Sequence, residues 1–370
     1  MSRSAPIRIL MTTDTVGGVW TYSCALASRF AESGAAVCLV TLGPRARTDQ
    51  HAMLRDPGVR LVETDLALEW QDPEGRNIAE ARRVLAELER RFEPDVVHLN
   101  SFREASFAWR APTVLVAHSC VNSWALACRD TTWLTELRWR RYTEHVKTAL
   151  DTATAWVCPS RAFHDDIAAI YRPQSRGAVI WNGIAPRDPT GRKQELILAA
   201  GRLWDRAKNI EALVAAAPGL SWPIEAAGPT DPRLSTGVSW LGELSHDAMG
   251  ARLRHAAIFV SPALYEPFGL SVLEAASAGC ALVLSDIPSF RELWSGAALF
   301  FDPTDSEALH RAIATLCADE IQRARLQRSA YEHSLTCSLT RMTNAYLRLY
   351  ESLVASHHLV APAGPLEVRA

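Results

Sequence analysis

Short apolar runs rich in Val, Ile and Leu recur along this chain of 370 residues, and they alternate with longer stretches in which apolar residues return at helical spacing. A strand covered on both faces reads as such an unbroken run, so the alternation predicts parallel sheets sheathed by helices. The candidate strands of the first half are residues 7–12, 36–42, 60–63, 96–99, 113–117, 155–159 and 178–181, with helical segments at 20–32, 77–91 and 134–152. The second half repeats the pattern, with strands at 196–200, 224–227, 239–241, 258–261 and 281–285, helices between them and a helix at 307–318 following. Two doubly wound α/β domains are therefore expected. Pro, Gly and charge without an apolar period mark residues 183–193 as the join, dividing the chain into 1–188 and 189–338. A helix over 339–355 is expected to cross back to the first domain, with residues 356–370 as a tail.

Composition narrows the function classes. Hydrophobic residues make up 48%, enough for two cores. Lys plus Arg number 39 against 41 Asp plus Glu, so no global field holds nucleic acid, and an anionic ligand needs a local site. Apolar stretches 35–42 and 256–264 fall far short of the roughly 20 residues of a membrane span, and MSRSAPIRIL carries no secretory pattern, so a cytoplasmic protein is expected. The eight cysteines form no CxxC pair and read as reduced, buried small hydrophobes rather than zinc ligands or a disulfide framework.

The most informative stretch is SPALYEPFGLSVLEAASAGCALVLSD, residues 261–286, where a strand ends, a Pro-Phe-Gly turn follows and a helix begins near Leu270. A helix N-terminus offers unpaired N–H donors and the positive end of the macrodipole, so the amides of Phe268, Gly269, Leu270 and Ser271 suit the oxygens of a diphosphate. Glu266 and Glu274 bracket the turn, and carboxylates accept well from the vicinal diols of a sugar or a ribose. The same residues also fit a plain strand end, a tight turn and a solvated helix face. Gly17 and Gly18 lie between a strand and a helix, which suits either a close backbone approach to a ligand or tight packing. His98 and His118 fall at the carboxyl ends of strands, the edge where open α/β sheets bind ligands, and each also fits a satisfied core histidine.

EPFGLSVLE, residues 266–274, is similar to the E-x7-E signature of the retaining glycosyltransferases of the GT-B fold, the family 4 type that includes sucrose, glycogen and phosphatidylinositol mannoside glycosyltransferases, and the ASAGCALVLSD that follows resembles it too. LILAAGRLWDRAKNI, residues 196–210, looks like the family's strand, Gly-Arg and Lys; the resemblance implies Arg202 and Lys208 as the cations facing the donor diphosphate. The Lys is one residue farther along than the family pattern, which leaves Arg206 as a rival. VCPSRAFHDDI (157–167) and VIWNGI (179–184) match in order, and one glycine of the turn near Ala226, Gly228 and Pro229 is replaced.

The resemblance implies two Rossmann-like domains facing across a cleft, with a nucleotide diphosphate sugar as donor, UDP-sugar before GDP-sugar. It further implies a glycan, lipid or small-molecule acceptor on the first domain, and retention of anomeric configuration. Arg202, Lys208, Glu266 and His118 are the implied catalytic set, with Gly17, Gly18 and the 268–274 turn binding the donor. No DxD triplet is present, so no metal or other cofactor is expected. Trp20, Trp124, Trp133 and Trp139 suit either sugar stacking or core packing. The basic, aromatic 137–147 suits either peripheral contact with the inner face of a membrane or a solvated helix. A sugar-nucleotide epimerase or hydrolase and a non-catalytic binding protein are the alternatives.

Overall fold

The computed structural model describes residues 6–54, 56–175, 177–187, 189, 191–229 and 237–360. Its first sheet holds β1 (Arg8–Asp14), β2 (Ala36–Leu42), β3 (Val59–Val62), β4 (Val96–Leu99), β5 (Thr113–Val116), β6 (Ala155–Cys158) and β7 (Ala178–Val179) in the order β3-β2-β1-β4-β5-β6-β7. The second holds β8 (Gln194–Ala200), β9 (Ile224–Ala227), β10 (Ser239–Gly242), β11 (Ala256–Ser261), β12 (Ala281–Ser285) and β13 (Ala298–Phe301) in the order β10-β9-β8-β11-β12-β13. Both are parallel throughout, and together they make the two-domain, Rossmann-like GT-B architecture. Each sheet reverses its winding once, beside β1 and beside β8, and these switch points open a crevice at the carboxyl ends of the strands.

The apolar runs fold as sheets because each strand feeds two cores. Leu10, Val40, Leu99 and Leu115 point into one layer, while Ile9, Met11, Val37 and Val114 point into the other. The second layer is completed by Met342, Tyr346 and Tyr350 of the helix Leu339–Val360, which leaves the second sheet and packs on the first. The chain passes between the halves at two adjacent places: Ile184 N donates to Cys337 O (3.1 Å) and Leu339 N to Ile184 O (2.9 Å).

Several elements differ from the expectation. β13 is an additional edge strand. Helices Arg161–Tyr171 and Glu320–Ser334 join those anticipated. The segment expected to be helical from residue 134 is a 3-10 turn, Thr132–Thr135, an extended Glu136, and then the helix Leu137–Thr152. The last helix runs to Val360 rather than 355; the boundary residue 188 and residues 361–370 lie outside the described residues. All eight cysteines are free. Among the described residues no helix is long and apolar enough to cross a membrane.

The halves interlock. Ala207 and Tyr265 of the second half lie in the core of the first, where the Tyr265 hydroxyl accepts from Cys120 N (3.2 Å) and pairs with Ser123 Oγ (2.7 Å). Ser160 Oγ donates to Pro267 O at 2.6 Å, and the Glu292 carboxylate accepts from Arg161 N and Ala162 N, each at 2.8 Å, closing a helix N-terminus from the other domain.

Candidate active site in the interdomain cleft

Gly269 is the N-cap of the helix Leu270–Ser277, and the helix's hydrogen bonds begin with Leu273 N donating to Gly269 O. The N–H groups of Leu270, Ser271 and Val272 thus have no partner within the helix. The Phe268 ring is buried in the core, so only its backbone faces outward. The turn is pinned from behind, where Ser289 Oγ donates to Glu266 O at 2.5 Å.

Lys208 Nζ lies 2.5 Å from Glu266 Oε2, with both side chains largely buried. The extra residue before Lys208 is taken up in the 3-10 turn Arg206–Lys208, started by Asp205, whose Oδ1 accepts from Ala207 N at 3.0 Å. Lys208 is thereby the cation beside Glu266, whereas Arg206 points away to Asp130, 3.6 Å off. Asp205 was not foreseen. Its Oδ2 holds Arg202 Nη2 at 2.9 Å and its Oδ1 also accepts from Trp124 Nε1 of the first half at 2.9 Å. An opposite charge three residues after Arg202 was the available signal.

The first half closes over this set. A Cβ placed on Gly18 would touch Leu270 Cδ1 at 3.4 Å, so the Gly17–Gly18 turn abuts the helix N-terminus across the cleft. Just before it, Asp14 accepts from Val16 N at 2.7 Å; burial pushes its carboxyl up to about 6, opposed by that bond and the charge of Arg202. Asp14, too, carried no signal in the motif.

Glu274 lies 3.6 Å from Arg187 Nη2, and burial raises its carboxyl against the charges of Arg187 and His246. Arg187 is fixed by its own amide on Ser277 Oγ (3.1 Å) and by His246 Nε2 (3.3 Å). Gly228 packs against Gly201, and Leu203 N donates to Pro229 O at 3.0 Å, tying this turn to the Arg202 loop.

The two histidines part company. His118 is half-buried and bonds Asn100 Oδ1 through Nε2 at 2.7 Å. His98 is fully buried, with Nδ1 2.5 Å from the Tyr350 hydroxyl and Nε2 3.2 Å from the same Asn100 Oδ1, so it is a satisfied core histidine. Burial pushes both imidazoles down to about 3 from the ordinary 6.5. The folded chain therefore resists protons that the unfolded chain takes up, and stability falls as pH drops from 6.5 toward 3. Each such histidine adds a slope of about 1.4 kcal/mol per pH unit inside that window. His98→Gln is expected to remove about one proton from the pH dependence of urea unfolding between roughly pH 6 and 4.5; an unchanged slope would contradict the assignment.

Trp20 is core. Trp124 packs tilted on Trp133 with centroids 6.2 Å apart, Trp133 meets Trp139 edgewise at 5.0 Å, and the row continues to Tyr142 at 6.0 Å. Their neighbours Leu126 and Leu137 are exposed.

Residues 16–188 match the Glycosyltransferase Family 4 model and residues 231–333 the model for Glycosyl transferases group 1. Alpha-maltose-1-phosphate synthase of Mycolicibacterium smegmatis is 28% identical over 218 residues, covering 47% of this chain and 56% of that protein. Glycogen synthase of Mycobacterium tuberculosis is 27% identical over 276 residues, 65% of this chain and 64% of that protein. The matches thus span less than two thirds of these relatives. Among solved structures, sucrose-phosphate synthase of Thermosynechococcus elongatus superposes with a TM-score of 0.79 at 18% identity, covering 95% of this chain and 100% of that one. Anabaena Alr3699/HepE in complex with UDP-glucose gives 0.73 at 17%, covering 94% and 100%. The two family matches and the paired parallel sheets show that this chain belongs to the GT-B-fold glycosyltransferases of the family 4 type.

Proposed function

We propose that the protein moves a hexosyl group from a nucleotide diphosphate sugar to a hydroxyl of a glycan, lipid or small-molecule acceptor, with retention and without a metal. The observation that carries this reading is the convergence of Lys208, Arg202 and the open N-terminus of Leu270–Ser277 on the edge that faces the Gly17–Gly18 turn. Breaking the bond between the anomeric carbon and the phosphate builds negative charge on the departing diphosphate. Two cations and a row of amides stabilise that charge more than the bound donor, which lowers the barrier and supplies what a divalent ion supplies elsewhere. In this reading Glu274 takes the ribose, Glu266 the sugar ring and His118 the sugar from the opposite domain. The complexes of Alr3699/HepE with UDP and with UDP-glucose favour a UDP-sugar. A cytoplasmic location fits such a donor.

Thermal shift with UDP, GDP, ADP and dTDP, with and without sugars and in EDTA, tests the reading. UDP and a UDP-sugar are expected to stabilise the protein increasingly with concentration, EDTA to change nothing, and Glu274→Ala to weaken the effect. No response to any nucleotide would overturn it, and release of free sugar or an epimer without an acceptor would replace it with the hydrolase or epimerase reading.

A further inference from the structure

The edge of the first sheet carries a hydrogen-bond chain that the donor motif does not include. β1, β4 and β5 lie side by side, so Thr12, His98, Asn100 and His118 meet at their carboxyl ends. Asn100 is fixed there on every side: its N–H donates to Thr12 Oγ1 (3.1 Å), and its Nδ2 to Thr12 O (2.7 Å) and Ser23 Oγ (3.3 Å). A backbone carbonyl only accepts, so the amide nitrogen must face Thr12 and the amide oxygen must face the histidines. That oxygen in turn only accepts, and it lies 2.7 Å from His118 Nε2 and 3.2 Å from His98 Nε2. Both imidazoles therefore carry hydrogen on Nε2. The bare Nδ1 of His98 is matched by the Tyr350 O–H, donated from the helix that returns from the second half. The bare Nδ1 of His118 has no protein partner among the described residues.

We propose that Asn100 is a positioning residue that locks His118 in the Nε2–H tautomer, so that His118 offers Nδ1 as a hydrogen-bond acceptor to a hydroxyl of the bound sugar. The sugar half of this proposal rests on the reading of the cleft as a donor site, and the tautomer half does not. An imidazole held this way receives a hydroxyl proton in a hydrogen bond and cannot donate to the same atom, which favours a hydroxyl over an ether or a deoxy position at that point.

Two measurements test it. In the full chain labelled with nitrogen-15 histidine, two-bond proton–nitrogen spectra are expected to show His118 and His98 as Nε2–H tautomers. A proton on His118 Nδ1 overturns the proposal. Calorimetry then compares UDP with UDP-glucose. Asn100→Leu is expected to leave UDP affinity unchanged, weaken UDP-glucose by up to about tenfold and let His118 populate the Nδ1–H form. Asn100→Asp, which keeps an accepting oxygen at Nε2 and as the protonated acid a donor to Thr12 O, is expected to recover the tautomer and part of the preference for UDP-glucose. Asn100→Leu with an unchanged tautomer and an unchanged ratio of affinities overturns the positioning role, and should that variant not fold, the wild-type spectrum and Asn100→Asp decide. Wild-type protein that binds neither ligand sinks the donor-site reading and the sugar role of His118 with it, while the tautomer stands or falls on the spectrum.

Discussion

Lys208→Ala is expected to lower turnover at saturating donor and acceptor by roughly 10²-fold or more, with a much smaller change in affinity for the nucleotide. The ammonium is carried by a short 3-10 turn, is largely buried, and is held at Glu266 beside the helix N-terminus, so under the proposed function it stands ready where the leaving diphosphate would gain charge. A group preorganised in that way stabilises the transition state more than the ground state, and its loss appears in kcat. Arg202→Ala is expected to act in the same direction. Its guanidinium is oriented by Asp205, and removing it also strips the opposing charge from Asp14. Arg206→Ala serves as the control, because Arg206 is exposed and faces Asp130. Turnover of the Lys208 variant within about threefold of wild type, read as UDP release, would remove the lysine from the chemistry.

Gly228→Val is expected to destabilise the second domain by about 3 kcal/mol or more, a large fraction of the stability of an ordinary domain. A Cβ at residue 228 would sit 1.8 Å from the carbonyl oxygen of Gly201, an atom of the backbone that no rotamer change can move aside, and φ there is 135°. The substitution therefore combines a backbone clash with a conformation that β-branched residues avoid. Gly201 is itself tied down by its N–H to Ala227 O at 3.0 Å, so relief of the clash must displace the loop that carries Arg202. Gly242→Ala is the matched comparison: φ is 65° but no atom of the described residues lies within 4 Å of the new Cβ, and the expected cost is about 1 to 2 kcal/mol of backbone strain alone. Urea unfolding of both variants checks the pair, and equal losses would show that the contact with Gly201 yields.

What could be read from the sequence was local. Twelve strands are legible as short segments rich in apolar residues, although β3 and β9 each carry a charged one; β13 is as apolar as they are, but it is a four-residue edge strand with only Phe301 buried and is missed. The helix Arg161–Tyr171 was legible in principle, because Ser160 caps it and Phe163, Ile167 and Tyr171 recur every four residues on its buried face. Glu266, Gly269 and Glu274 share one turn and helix, so their spacing alone places them. Asn100 and His118 are neighbours only because β4 and β5 pair, and Asp14 meets Arg202 only because the two halves face each other. His98 looked like a ligand as much as a core residue from its position at a strand end. The group that settles it, Tyr350, lies 252 residues away in the chain.

The returning helix Leu339–Val360 also has a consequence for the order in which the molecule is made. One layer of the first sheet, with Ile9, Met11, Val114 and Val116, is sealed by Met342, Tyr346 and Tyr350. A ribosome that has finished the first domain's strands has not yet made the residues that cover them. Until about residue 350 emerges, that face stays open to water and to any chaperone or neighbouring chain that binds apolar surface, so the half synthesised first is the half completed last. An expression fragment ending at the linker would carry the same uncovered face permanently, and the two halves of this protein are in that sense a single folding unit wearing the outline of two.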